Sequence, residues 1–330
     1  MIQLIFRKPN QQSFSIEKVF ASIRPQLAAT LAITDQQAVT RSASPVAILR
    51  NILHLRKIKG SLYHVTGDIH YAVFAFPRNR TILTIHDSVF LEYEKGMRRW
   101  IFKKLWLQWP VKYARVITTI SLKSKEEIIS NTGCDPSKII VIPDPVSPQI
   151  NYSEKPFNEQ QPVILFIGTK ANKNMFRAIE SLKGIPCTLE IIGRLSAEQE
   201  AALKSAAIRY KNFINISDDE LAERYTACDM MLYPTTYEGF GLPILECQKA
   251  GRPMVTSNLS PMKEVAGDGA CLIDPYKVAS IRKGILQIVK DSAYRQQLVR
   301  AGLENVKQYS ADTIAEQYGR VYNTLLQANK

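Results

Sequence analysis

Histidine and cysteine are scarce: four and five residues in a chain of 330, with Cys134, Cys187, Cys228, Cys247 and Cys271 widely spaced and no C-x-x-C pair. An odd set without that pair indicates neither a disulfide framework nor a zinc site, so these cysteines read as reduced packing residues. No apolar run approaches the roughly 20 residues that span a bilayer, and Met1-Ile-Gln-Leu-Ile-Phe-Arg lacks the basic start and long apolar segment of a signal peptide. The expectation is a cytoplasmic protein. No G-x-G-x-x-G follows the first apolar segment, where Phe6-Arg-Lys-Pro9 stands instead, which argues against a dinucleotide-dependent oxidoreductase. Zinc-finger spacing, an RNA-recognition signature and an obvious recognition helix are also missing, so nucleic acid ranks last among partners.

What is present is ordinary in amount and uneven in distribution. A hydrophobic share of 45% and a charged share of 22% belong to a globular chain long enough for two domains. Residues 1–150 carry 21 Lys and Arg against 10 Asp and Glu, a net +11, whereas the remainder carries 22 against 20, a net +2. A one-sided basic half calls for an anionic partner, either a phosphorylated substrate or an anionic membrane surface.

From residue 163 onward, short apolar segments at 163–168, 188–193, 213–216, 230–233, 253–257 and 271–274 alternate with helical stretches near 174–183, 196–210, 218–227 and 242–250. Such alternation specifies a doubly wound parallel sheet. The first half repeats the theme with strands at 3–6, 63–66, 81–86, 116–120 and 139–142. The segment 145–162, rich in Pro, Asn, Gln and Ser, reads as the hinge between two α/β halves facing across a cleft, and 311–326 reads as a closing helix. The expected domains are therefore 1–150, 151–310 and a last helix over 311–330.

The densest information lies in Tyr233-Pro-Thr-Thr-Tyr-Glu-Gly-Phe-Gly-Leu-Pro-Ile-Leu-Glu246, where two carboxylates eight residues apart bracket a strand-to-helix turn. Backbone N–H groups of Gly239, Phe240 and Gly241 at that helix start suit an anion, as does the helix dipole. Glu238 and Glu246 beside a phosphate subsite suit sugar hydroxyls, which carboxylates bind strongly and directionally. Glu238-Gly-Phe-Gly-Leu-Pro-x-x-Glu246 resembles the E-x7-E signature of the retaining family four glycosyltransferases, which have the GT-B fold of two Rossmann-like doubly wound domains. Phe166-Ile-Gly-Thr-Lys-Ala-Asn-Lys-Asn174 resembles the phosphate loop opening that family's C-terminal domain, and Glu264-Val-Ala-Gly-Asp-Gly-Ala-Cys-Leu-Ile-Asp-Pro275 resembles the stretch after the signature. In the first half, Thr84-Ile-His-Asp87, Val116-Ile-Thr-Thr-Ile-Ser121 and Val141-Ile-Pro143 match more loosely.

The resemblance implies a nucleotide-diphosphate sugar donor, with Glu246 on the ribose, Glu238 at the transferred sugar, Lys173 on the diphosphate and His86 close to the reacting carbon. A lone Lys is ordinarily a solvated surface group, but Lys173 lies in a loop between strand and helix. Gly168, Thr169, Lys170, Arg194, Gly239, Phe240, Gly241 and Leu242 complete the implied donor site. Thr169 departs from the family, which has Arg there, and Lys170 or Arg194 is the candidate to restore the charge. No two aspartates lie at i, i+2, so the D-x-D motif that carries a divalent metal in the other common glycosyltransferase fold is missing, and no metal or other cofactor is expected. The resemblance further implies front-face attack with retention, the departing phosphate taking the acceptor's proton.

On the acceptor or membrane side stand Asp87, His70, Trp100, Lys103 and Lys104. His64 and His70 lack a third ligand and are placed in a loop near the acceptor. At about 100° per residue, residues 98–109 put Ile101, Phe102, Leu105, Trp106 and Trp109 on a core face and Trp100, Lys103, Lys104 and Leu107 on an outer face suited to anionic headgroups. Arg50, Arg56, Lys57 and Lys59 form a second basic cluster. The expected acceptor is a glycan or lipid-phosphate-linked glycan of bacterial surface polysaccharide. An epimerase or phosphorylase on the same fold is disfavoured, the latter because it needs a far longer chain. The contrasting reading is a sugar-nucleotide-binding or membrane-attached scaffold subunit with weak turnover.

Overall fold

The computed structural model describes residues 1–8, 15–87 and 96–329, the side chains of Ser15 and Arg98 excepted. Pro9, at the end of Phe6-Arg-Lys-Pro9, lies outside the described residues. The chain divides into two compact units, Met1–Pro145 with Ala311–Lys330, and Val146–Ser310.

The first unit runs β1 (Ile2–Phe6), α1 (Ser15–Thr30), β2 (Ile33–Gln37), α2 (Pro45–Leu55), β3 (Leu62–Val65), β4 (Thr81–Ile85), α3 (Gly96–Phe102), α4 (Trp109–Tyr113), β5 (Val116–Thr119), α5 (Leu122–Thr132) and β6 (Ile139–Val141). All pairings are parallel, in the order β2-β1-β3-β4-β5-β6. Side chains alternate across β1: Ile2, Leu4 and Phe6 pack with α1 and with Ile314, Tyr318 and Tyr322 of the closing helix Ala311–Ala328, while Ile5 faces the opposite core. The strand β2 was not expected. Its sequence Ile-Thr-Asp-Gln-Gln shows no apolar alternation, and it is held at the sheet edge by pairing with β1.

The second unit runs β7 (Val163–Ile167), α6 (Met175–Leu182), β8 (Thr188–Ile192), α7 (Ala197–Ser205), β9 (Arg209–Phe213), α8 (Asp218–Ala227), β10 (Met230–Tyr233), α9 (Leu242–Lys249), β11 (Met254–Ser257), α10 (Met262–Ala266), β12 (Cys271–Ile273), α11 (Val278–Lys290) and α12 (Ser292–Asn305). The parallel sheet is ordered β12-β11-β10-β7-β8-β9. Strand order therefore reverses between β7 and β10, where the following loops leave in opposite directions and open a crevice. The expected strand at 213–216 is corrected to Arg209–Phe213, and the helix expected over 196–210 ends at Ser205. Ala207 takes a positive φ of 51° there, which stops the helix and frees the next residues to pair with β8. The helices α11 and α12 follow the last expected strand and have no counterpart in the sequence reading.

Candidate functional site

In the second unit, two strand-end loops are laced together at the reversal. The loop after β7 begins with Gly168 at φ +86°, and a Cβ there would meet Lys173 Cε at 2.8 Å. Gly168 is therefore the slot through which the Lys173 stem runs back along its own loop. The Lys173 ammonium donates to the Tyr233 hydroxyl at 2.8 Å and to Glu238 Oε1 at 2.5 Å, and lies 4.8 Å from the Tyr233 ring centroid. Glu238 Oε1 also accepts from the Thr235 hydroxyl at 2.7 Å. Asn172 also joins the loops: its carbonyl accepts from the Thr236 N–H at 2.8 Å and from the Thr235 hydroxyl at 2.9 Å, and its side-chain amide donates to the Tyr237 carbonyl at 2.8 Å. One turn into α9, Glu246 Oε2 accepts from the fully buried Tyr225 hydroxyl at 2.6 Å. Burial and the Glu246 carboxylate hold the Tyr225 hydroxyl well above its ordinary range, so it remains a donor.

Gly241, at φ +108°, caps α9, and Phe240 beside it is buried against Tyr309 with ring centroids 5.9 Å apart. Leu242 is the first residue of α9 and has no intrahelical partner for its N–H by position. Thr169 lies across Gly193 and donates to the Arg194 carbonyl at 2.6 Å, pinning the ends of β7 and β8 together. Lys170 and Arg194, at those two adjacent strand ends, are exposed. The structure thus gathers Lys173, Glu238, Glu246 and the α9 start, and adds Asn172, Tyr225, Tyr233 and Thr235, which the sequence reading had not singled out. Asn172 sits inside a stretch that carries the resemblance, and Tyr233 and Thr235 lie just before the Glu238–Glu246 signature. Tyr225 lies on α8 with no motif to flag it.

In the first unit, a hollow of about 460 Å³ at the carboxyl ends of β1, β3 and β4 is lined by Arg7, Lys8, Asp68, His70, His86 and Asp87 among others. His86 Nε2 donates to the Thr66 carbonyl at 3.0 Å, and Nδ1 lies 3.8 Å from Asp144. Burial opposes the imidazolium, but Asp144 and the Thr66 carbonyl prevail and raise its pKa above the ordinary value. His70 opens a short 3-10 helix, His70–Ala75, and its Nδ1 donates to the Trp106 carbonyl at 2.5 Å. Pro110, four residues on, has no N–H to compete for that carbonyl. Burial, only partly offset by this bond, lowers the His70 pKa.

The structure corrects two expectations. His64 is not in a loop: it is a fully buried residue of β3, with Nδ1 at 2.7 Å from the Tyr322 hydroxyl and Nε2 at 2.7 Å from the Thr84 hydroxyl. The helical face over 98–109 is also reassigned. Leu107, expected outside, is fully buried, while Ile101 and Trp109, expected in the core, are 41% and 51% exposed. Lys103–Gln108 form a π-helix, whose wider turn advances each residue by less than about 100° and rotates the faces. Trp100 remains exposed, with the Lys104 ammonium 5.9 Å from its ring centroid, and Lys103 is half-buried. Among the described residues no group of three His, Cys, Asp or Glu could hold a metal ion, and no helix is long and apolar enough to cross a membrane.

Comparison with known proteins decides the family. The family model for glycosyl transferases group 1 matches residues 149–305, and that for glycosyltransferase family 4 matches residues 36–150. O-antigen chain mannosyltransferase B of Escherichia coli is 30% identical over 298 residues, covering 82% of this chain and 76% of that one. The chain is a family four glycosyltransferase. Sucrose-phosphate synthase from Thermosynechococcus elongatus superposes with a TM-score of 0.77 at 17% identity, covering 99% of each chain. The Anabaena protein HepE in complex with UDP and glucose gives 0.76 at 12% identity, covering 98% of this chain and all of the other. At those identities the likeness speaks for the fold alone, and the fold of this glycosyltransferase is GT-B.

Proposed function

We propose that this glycosyltransferase moves a hexose from a UDP- or GDP-linked donor to a glycan or lipid-linked glycan, with retention, in bacterial surface-polysaccharide synthesis. The observation that carries the reading is the pairing of Lys173 with Glu238 beside the start of α9, with Glu246 held by Tyr225 one turn further on. A nucleotide diphosphate in the crevice gives Lys173 a stronger anionic partner and frees Glu238 for the sugar hydroxyls, while Glu246 takes the ribose. The bond from the anomeric carbon to the phosphate oxygen breaks, the acceptor oxygen bonds the same face, and the departing phosphate takes its proton. Lys173 and the backbone of Gly239, Gly241 and Leu242 then stabilise the leaving charge without a metal. Lys170 and Arg194 supply the charge that Thr169, tied to a carbonyl, does not.

In the first unit His86, Asp87 and His70 serve the acceptor, and Trp100, Lys103 and Lys104 contact an anionic membrane from the cytoplasmic side. The Escherichia coli relative is named a mannosyltransferase, which makes mannose the first hexose to assay. The test is a thermal-shift series with UDP, GDP and ADP, with and without Mg²⁺, on the protein and on Glu246→Ala. A shift by one nucleotide that is independent of Mg²⁺ and lost in the variant supports the reading; no shift with any nucleotide overturns it in favour of a scaffold.

A further inference from the structure

The helix α2 is amphipathic in an unusual sense, because both of its faces are apolar. Ala47, Asn51 and Leu55 are buried, with Ile48 and Ile52 packed against the same core. On the other side Val46, Leu49 and Leu53 are 78%, 57% and 52% exposed. These three recur at one-turn spacing and form a continuous ridge. The ridge cannot roll inward, because Asn51 fixes the helix: its Oδ1 accepts from the Val39 and Thr40 N–H groups, and its Nδ2 donates to the Thr40 carbonyl and, at 2.7 Å, to the Tyr71 hydroxyl. Ser44 caps the helix start through the Ala47 N–H, so the exposed turn that bears Val46 is itself ordered.

Charge identifies what covers the ridge. Arg50 lies on one flank, and Arg56 and Lys57 lie at the helix end, all exposed. From residue 36 to residue 67 the chain has no Asp or Glu at all, while it carries Arg41, Arg50, Arg56, Lys57 and Lys59. A second copy joined by a two-fold axis would set this cationic face against itself, which opposes association. A helix lying in a bilayer interface requires an apolar ridge between cationic flanks and an anionic headgroup layer. We propose that α2 is a membrane-insertion element: Val46, Leu49 and Leu53 enter the acyl boundary of an anionic bilayer while Arg50, Arg56 and Lys57 hold the headgroups. This deepens the membrane contact proposed above and rests on it for the partner, but on a different helix. The helix packs on His70–Ala75, the same short helix that the Lys103–Gln108 turn touches, so a bilayer under α2 is tied directly to the element bearing His70.

The experiment is co-sedimentation of the full chain with phosphatidylglycerol-containing and pure phosphatidylcholine vesicles at low and high salt. It compares the protein with Leu49→Gln/Leu53→Gln, Arg50→Gln/Arg56→Gln/Lys57→Gln and Trp100→Ala. The substituted α2 side chains are exposed, and circular dichroism with an unchanged nucleotide thermal shift checks the fold. Expected are binding to anionic vesicles only, a loss of roughly tenfold or more in the leucine variant, and a weaker, less salt-sensitive binding in the basic variant. Binding that survives Leu49→Gln/Leu53→Gln and is lost in Trp100→Ala overturns the role of α2 while leaving a membrane contact. Absence of binding by the unsubstituted protein overturns both. A leucine variant that changes the oligomeric state instead assigns the ridge to a second copy.

Discussion

The Lys173 ammonium and the Glu238 carboxylate, each on the loop after one of the two strands flanking the sheet's reversal, meet at 2.5 Å, and both side chains are largely buried. A buried pair is costly to break by removing one member, and in the proposed donor site each member is also the partner of half of the donor. Glu238→Gln is expected to lower kcat/KM for the sugar donor roughly 10²–10³-fold while leaving nucleoside diphosphate affinity within a fewfold. Lys173→Met is expected to weaken both. Steady-state kinetics beside calorimetric titration with the diphosphate separates the two.

The Tyr225 hydroxyl holds the Glu246 carboxylate, so on the proposed reading it acts on the donor through Glu246. Tyr225→Phe keeps the buried ring and removes only the hydroxyl that orients the carboxylate, at a cost of about 1–2 kcal/mol in donor binding. A rise in donor KM of roughly tenfold with kcat nearly unchanged is the expected split; an equal fall in kcat assigns Glu246 to the chemical step instead.

Gly168 has a steric reason that the resemblance alone does not supply. Its φ of +86° and the 2.8 Å that would separate an added Cβ from Lys173 Cε both penalise any side chain there. Gly168→Ala is expected to destabilise the protein by about 1–3 kcal/mol and to weaken diphosphate binding, because the lysine stem must move. Chemical denaturation and calorimetry on the same samples check both halves.

His64 and His86 respond to pH with opposite signs. Burial drives the His64 pKa down to about 3, so as pH falls below about 6.5 the unfolded chain takes up a proton that folded His64 refuses. Stability from this group is full above about 6.5 and declines by about 1.4 kcal/mol per pH unit towards the folded value. His86 has a raised pKa, so its contribution is full below the ordinary value and is lost as pH rises through the raised one. Histidine titration by NMR is expected to find His64 neutral at pH 5 and His86 titrating above about 6.5, with Asp144→Asn bringing His86 down.

The reassigned faces of residues 96–113 are equally open to test. Leu107→Ala removes a fully buried side chain and is expected to cost about 2–5 kcal/mol, whereas Ile101→Ala, 41% exposed, is expected to cost under about 1 kcal/mol. The reverse order in urea denaturation restores the face expected from a uniform helical period.

Along the chain, apolar segments and glycines determined a great deal. Among the described residues every strand except β2 and β9 is legible, because parallel strands buried on both faces are short apolar runs; the turn within Tyr233 to Glu246 is legible because its glycines, Pro243 and two glutamates are close in sequence. Local order of that kind needs no partner to be recognised. What only the tertiary structure decided are relations between distant residues: β2 held by β1 and β9 by β8 despite polar sequences, Tyr225 under Glu246, Lys173 on Tyr233, and His64 bonded to Tyr322 of the closing helix. The outward ridge of α2 is of the same kind. Its pattern of Val, Ile and Leu all round the helix cannot say which apolar face is core, and the choice falls to Asn51, whose four hydrogen bonds exist only once the segment 39–40 and Tyr71 are folded against it.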